Sequence, residues 1–233
     1  MSATVSIPQR ATVRVATLPG VFRPHSDALL LAAVMREKGL ARDADVLDLF
    51  TGSGLLAVAA ALEGARSVTA VDISRRAVLT ARLNALRNGV GARVRAQRGD
   101  LFAPLVGRRF DLITANPPYL PGEQEMPRAG AARAWEGGDD GRVLVHALCD
   151  GAHERLTPGG TLLLVQSSLT GERETLDRLA AGGLRGEVVV RRSGPLGPLA
   201  QARADALRAA GRLAPGADEE ELLVIAANAA GAR

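Results

Sequence analysis

Apolar and polar positions along the chain fall into two alternating rhythms. Short runs that are apolar at nearly every position alternate with longer stretches whose apolar residues recur every three or four positions. Leu29, Leu30, Ala33 and Val34 lie at helical spacing within a segment from Ser26 to Lys38, with Ser26 or Asp27 as N-cap. Thereafter strands are predicted at Asp45–Phe50, Ser67–Asp72, Arg93–Gln97, Phe110–Ala115, Thr161–Gln166, Gly186–Arg191 and Glu221–Ala227. Helices are predicted between them at Gly54–Leu62, Ser74–Arg87, Val143–Leu156, Glu172–Leu179 and Leu199–Ala210. A further strand is predicted near the start, at Thr12–Ala16, where side chains alternate. Continuously apolar strands such as Leu162–Val165 fit a sheet covered on both faces. Strand–helix alternation of this kind predicts an α/β fold with a doubly wound, mainly parallel sheet, which binds ligands beyond the carboxyl ends of its strands.

Composition narrows the class. The chain has 233 residues, 47% hydrophobic and 23% charged, as expected of a globular protein and not of a disordered one. No apolar run approaches the roughly 18 residues of a membrane span. Met1–Arg10 lacks the apolar core of a secretory signal, so a cytoplasmic protein without membrane attachment is expected. The single cysteine, Cys149, rules out an internal disulfide framework and any cysteine-clustered zinc site. His146 and His153 share a helix face but have no third ligand nearby, so no metal is expected. All but one of the 29 basic residues are arginine, which lifts the isoelectric point to about 10.4 although the net charge is only +4. Those arginines are scattered and form no basic tail.

Four motifs sit at predicted strand ends. Asp48-Leu49-Phe50-Thr51-Gly52-Ser53-Gly54 runs from a strand through a glycine turn into a helix, where Gly52 permits an unusual backbone and Gly54 a close approach. It lacks the Gly-Lys-Ser/Thr ending of a P-loop. Asp72, before Ile73, ends the next strand, where a carboxylate can accept both hydroxyls of a ribose or start the following helix. Asp100, followed by Leu101 and Phe102, can accept from the exocyclic amine of an adenine or serve as a turn acid. Asn116-Pro117-Pro118-Tyr119 follows an apolar strand. Its two prolines fix the chain direction and hold the Asn116 side chain and the Pro117 carbonyl beside an aromatic ring.

In this order the motifs resemble the class I S-adenosylmethionine-dependent methyltransferases, with a Rossmann-like sheet of seven strands. Asn-Pro-Pro-Tyr resembles the subset that methylates planar NH₂ groups. Within it the chain is most similar to the HemK-type protein-glutamine N5-methyltransferases, in the short branch without an N-terminal helical domain. Pro24-His25-Ser26-Asp27 resembles the entry segment of that branch, and Ala134-Trp135-Glu136-Gly137-Gly138 its loop after the tyrosine. Two departures stand out: Phe50 replaces the usual first glycine of the cofactor loop, and Ala28 the threonine after the entry aspartate.

The resemblance implies one methyltransferase domain over residues 1–233, with a strand and helix from the first 40 packed upon it. It implies S-adenosylmethionine as cofactor and S-adenosylhomocysteine as product. Asp48, Thr51, Gly52, Gly54, Asp72, Ile73, Asp100, Leu101 and Asn116 would bind the cofactor. Asn116, Pro117 and Tyr119 would carry catalysis, and Pro118, Tyr119 and Trp135 would meet the acceptor. The implied acceptor is N5 of a protein glutamine, as in a translation release factor. The alternative is an amino group of an RNA or DNA base, adenine N6 or guanine N2, in line with the high isoelectric point and the Asp-Leu-Phe-x-Gly-x-Gly string. Eukaryotic members pair with a small zinc-binding activator along an edge strand, which Arg93, Arg95 and Arg98 would discourage here.

Overall fold

The computed structural model describes residues 13–119, 138 and 140–229. Seven strands form one sheet: β1 Asp45–Leu49, β2 Ser67–Asp72, β3 Val94–Arg98, β4 Phe110–Ala115, β5 Leu156–Ser167, β6 Leu184–Pro195 and β7 Glu219–Ala229. Their order is β3-β2-β1-β4-β5-β7-β6. β1 to β5 are parallel, and only β7 runs against its neighbours β5 and β6. The helices are α1 Ser26–Glu37, α2 Leu55–Leu62, α3 Arg75–Arg87, α4 Val143–Arg155, α5 Glu172–Ala181 and the short pair α6 Pro198–Ala202 and α7 Ala204–Ala209. The predicted α/β architecture is therefore present.

Alternate residues of the central strands feed two apolar cores. Val46, Leu112, Leu163, Val165 and Val224 belong to the core that also takes in α1 and α2. Leu47, Leu49, Ile113, Leu162, Leu164 and Ile225 belong to the opposite core, with Val145, Leu148 and Cys149 of α4. Helix α2 is apolar on all sides, and Leu55 to Ala61 are all buried, as a helix wedged between sheet and neighbouring helices requires. Each central strand thus has both faces covered, and its polar groups concentrate at the ends. β1 lies between β2 and β4, so the order in which successive strands are added reverses beside it, and open sheets of this kind leave a crevice at the carboxyl ends there.

Three expectations need correction. Val13–Ala16 is not a strand. It is extended, but its backbone bonds to two asparagines of α3: Asn84 exchanges bonds with Ala16 and Asn88 with Arg14. Four residues of helix rise about 6 Å, nearly the distance between alternate residues of an extended chain, so side chains at i and i+4 can substitute for a neighbouring strand. Leu199–Ala210 divides into α6 and α7, separated at Arg203. Finally, neither Ser26 nor Asp27 caps α1: the N-cap is His25, and the Asp27 side chain turns to the site described below.

Candidate active site

Two cavities meet at the end of β4. The first, of about 390 Å³, lies over the carboxyl ends of β1, β2 and β3. Thr51, Gly52, Asp72, Ile73, Asp100, Leu101, Asn116 and Pro118 line it, together with Phe22 and Leu144. Asp72 braces its floor. One carboxylate oxygen accepts from the Gly52 N–H at 2.9 Å and the other from the Ser74 N–H at 2.8 Å. Asp72 lines the cavity beside these bonds, where a ribose hydroxyl can approach its carboxylate, while Ile73 and Leu101 offer apolar contact to a flat ring. These donors, acceptors and walls fit a nucleoside such as that of S-adenosylmethionine. Asp72→Ala is expected to raise the cofactor Kd about tenfold or more, the scale of losing bonds to a charged acceptor, as measured by calorimetry.

Phe50 explains its own departure from the family pattern. Its φ is 56°, the left-handed region where glycine is preferred. The position therefore has a backbone geometry that favours glycine, at the strain of a bulky residue, and the phenylalanine becomes part of the cavity wall. Leu101, with φ 46°, is a second such residue on the same wall. Strained backbone thus collects around this cavity.

Asp48 and Gly54 lie outside the lining and support it from below. Gly54 has φ 80°, and a Cβ there would stand 2.8 Å from the Cα of Ala81. Here it is α3 that approaches Gly54. Asp48 is fully buried and accepts from the Thr51 hydroxyl at 2.5 Å and the Thr114 hydroxyl at 2.9 Å. Burial outweighs these bonds and pushes its carboxyl up to about 7.

A raised value in the folded state means that native protein retains a proton that the unfolded chain releases between pH 3.8 and about 7. Stability from this group therefore falls as pH rises through that window and levels off above it. Asp48→Asn should flatten this dependence, gaining stability at pH 8 over the wild type by at most a few kcal/mol on the order of the shift. Denaturant melts at pH 5 and pH 8 check it: an unchanged difference between the two pH values would refute the assignment.

The second cavity, of about 580 Å³, opens on the far side of the Asn-Pro-Pro-Tyr turn. Asn116, Pro118 and Phe22 line both cavities, whereas Pro117 and Tyr119 face the second alone. At the junction, Asp27 Oδ2 accepts from Asn116 Nδ2 at 3.2 Å and from the Tyr119 hydroxyl at 3.0 Å. Asp27 Oδ1 accepts from the Ala28 N–H at 2.7 Å, at the amino end of α1 where negative charge is favoured. Burial first, and then the Asp27 charge, hold the Tyr119 phenol well above its usual range, so it stays a donor. A carboxylate only accepts, so the Asn116 amide must present its nitrogen to Asp27 and its oxygen elsewhere. Neither Asn116 Oδ1 nor the Pro117 carbonyl receives a hydrogen bond from the described residues.

Support for the turn comes from the segment that follows β5. The Thr170 hydroxyl donates to the Tyr119 carbonyl at 3.0 Å, and Arg142 Nε donates to the Thr170 carbonyl at 2.6 Å. Sequence reasoning placed Asp27 at a helix start and passed over Thr170; only the entry-segment likeness signalled the first, and nothing signalled the second. Trp135 lies outside the described residues. No cluster of three or more His, Cys, Asp or Glu capable of holding a metal occurs among the described residues.

Comparison with known proteins agrees with this geometry. The family model "Methyltransferase small domain" matches residues 12–133. A chain named as a protein N5-glutamine methyltransferase in Methanocaldococcus jannaschii is 36% identical over 174 residues, 74% of this chain and 85% of that one. The release factor glutamine methyltransferase of Moorella thermoacetica is 37% identical over 180 residues, 74% of this chain but 63% of its own length. Among solved structures, the E. cuniculi Mtq2–Trm112 complex, responsible for methylating the termination factor eRF1, matches with a TM-score of 0.62 at 20% identity, covering 91% of this chain and 99% of that one. At that identity the likeness shows the fold. The family match and the archaeal relative show more: the chain belongs to the methyltransferase small domain family, among the S-adenosylmethionine-dependent class I enzymes of HemK type.

Proposed function

We propose that this enzyme methylates the side-chain amide nitrogen, N5, of a glutamine in a protein, with a translation release factor as substrate. One observation carries the reading: Asn116 stands where the two cavities meet, and Asp27 turns its amide so that the oxygen is left to accept. S-adenosylmethionine supplies an electrophilic methyl group when bound in the first cavity. The chain must then hold an NH₂ group in line with that methyl. A primary amide is a poor nucleophile because its lone pair is delocalised into the carbonyl, and no side chain here deprotonates it at neutral pH. Two acceptors offer another route. Asn116 Oδ1 and the Pro117 carbonyl take the two NH₂ hydrogens, direct the nitrogen lone pair at the methyl and stabilise positive charge growing there. The Tyr119 ring packs on the planar group. Such positioning accounts for several kcal/mol of barrier, up to roughly 7–11 in the best intramolecular cases.

The release factor names carried by relatives favour a protein acceptor over a nucleic-acid base. That substrate would place the reaction in the cytoplasm. Among the described residues, no helix is long and apolar enough to cross a membrane. We further propose that no strand-pairing activator is required. β3 is the edge strand on the cofactor side of the sheet, β6 being the other edge; Arg95 and Arg98 on β3 are exposed, and Arg82 donates through Nε and Nη2 to the Ala96 carbonyl. A strand added there would have to displace that guanidinium.

The test is transfer of labelled methyl by the purified chain alone into a purified release factor, and separately into ribosomal RNA, followed by mass spectrometry of the acceptor. Label at a glutamine supports the reading. Label only in RNA, or only in small molecules, overturns it.

A further inference from the structure

One wall of the second cavity belongs to neither of the two sheet cores. It consists of the end of β6 and the turn that follows, where Arg192, Gly194, Pro195, Gly197 and Leu199 line the space. Beneath that wall, α6 and α7 close on a small apolar cluster of their own. Leu196, Ala200, Ala204, Leu207 and Leu213 meet there with Leu169, in the single 3-10 turn Ser168–Thr170 after β5. Because this cluster is separate from the main cores, burial alone does not fix the distance between the wall and Asn116. Polar ties must set it.

Glu220, the second residue of β7, makes the tie that faces the cavity. Its Oε1 accepts from the Gly197 N–H at 2.9 Å, and its Oε2 accepts from the hydroxyl of Ser167, the fully buried last residue of β5. One side chain thus fastens the wall's turn to the carboxyl end of the parallel strand that neighbours β4. The Leu196 N–H donates to the Asp218 carbonyl at 2.9 Å and closes the base of the β6–β7 connection. At the lip, Arg192 uses one donor on the Ser26 carbonyl at 3.3 Å. Among the described residues its guanidinium makes no other hydrogen bond, which leaves most of its five N–H groups able to meet other acceptors.

Resting on the glutamine reading, we propose that the Arg192–Leu199 segment is the element that selects the acceptor, and that Glu220 is the positioning residue that holds it. The occupant is an extended polypeptide segment carrying the glutamine. The Arg192 guanidinium donates to carbonyl groups of that segment, while the glycine and proline backbone of the wall leaves room for its main chain. Glu220 does not touch the reacting atoms. It acts through the Gly197 turn, so its loss weakens acceptor binding and leaves the methyl-transfer geometry at Asn116 in place.

The test uses the full chain with an intact release factor, reading kcat and KM for the protein, the cofactor Kd and the melting temperature. Glu220→Ala is expected to raise KM about tenfold or more, with kcat changed by no more than about threefold, the pattern of lost uniform binding. Glu220→Gln should return KM to within about threefold of wild type, because the amide oxygen can accept from Gly197 and its nitrogen can donate to Ser167. Gly194→Leu gives a second handle: a Cβ there meets nothing within 4 Å, so the added side chain enters open space at the wall and should raise KM without moving the cofactor Kd. Unchanged KM in both Glu220→Ala and Gly194→Leu overturns the assignment of the wall. Equal loss of kcat, KM and cofactor binding in Glu220→Ala, without rescue by glutamine, overturns the positioning role. A wild-type enzyme that places no methyl on the release factor overturns the glutamine reading itself, and this inference with it.

Discussion

Asn116→Ala is expected to lower kcat for methyl transfer about 10²–10³-fold, the usual scale for removing one group that meets developing charge. The cofactor Kd should stay within about threefold, since the first cavity keeps its other polar contacts. The asymmetry follows from where the residue stands. Of the two acceptors for the NH₂ hydrogens, the Pro117 carbonyl is main chain and survives any substitution, whereas Asn116 Oδ1 disappears with the side chain. One acceptor can hold the nitrogen but cannot fix the direction of its lone pair. Asn116→Asp is an instructive companion. It preserves size and an oxygen toward the acceptor, yet sets a second carboxylate against Asp27, which offers no donor to meet it. It should fail comparably. Single-turnover transfer of labelled methyl, with calorimetry for the cofactor, separates the two quantities. An Asn116→Ala rate within tenfold of wild type would falsify the acceptor role.

Much of the architecture was legible because it rests on burial. Central strands are apolar at almost every position and their helices at every third or fourth, and those periods follow directly from which faces are covered. The strand-end motifs were legible for a related reason: polar residues that interrupt an apolar rhythm at the carboxyl end of a parallel strand have a crevice to face. What escaped notice rests on hydrogen bonds, which leave no period. β5, β6 and β7 extend well beyond their apolar centres, since a ladder holds Arg191 against Leu223 and Pro195 against Glu219 without needing apolar side chains. Asn84 and Asn88 look like surface residues of α3, but they hold an extended segment, and Asn84 Nδ2 also donates to the Ser53 carbonyl in the glycine turn. At Gly54 the close approach that a glycine signals comes from a helix, since a Cβ there would stand 2.8 Å from Ala81 of α3. Glu220 belongs to a run of three acids, Glu219 to Glu221, that resembles the tail of the family, but no period there tells which of the three turns inward to Gly197 and Ser167. At Asp27 both readings ask for the same residue, because a helix start and a side-chain amide are each satisfied by a carboxylate.

That ambiguity can be resolved by substitution. Asp27→Ala is expected to reduce kcat about 10²-fold while changing the cofactor Kd little, because it removes the acceptor that dictates which end of the Asn116 amide faces the reaction. Asp27→Asn should cost less, about tenfold: its oxygen still accepts, but its own NH₂ now also permits the reversed amide. Tyr119→Phe removes the other donor on the same carboxylate and keeps the ring, so it should cost less than about tenfold if the hydroxyl serves mainly to complete the Asp27 shell. The decisive measurement is the pair. If Asp27 works through Asn116, the double variant Asp27→Ala/Asn116→Ala will be no slower than Asn116→Ala alone, since an orienting group has nothing left to orient. Additive losses would mean that Asp27 touches the acceptor independently, and the carboxylate would then have to be counted among the groups that bind the substrate amide.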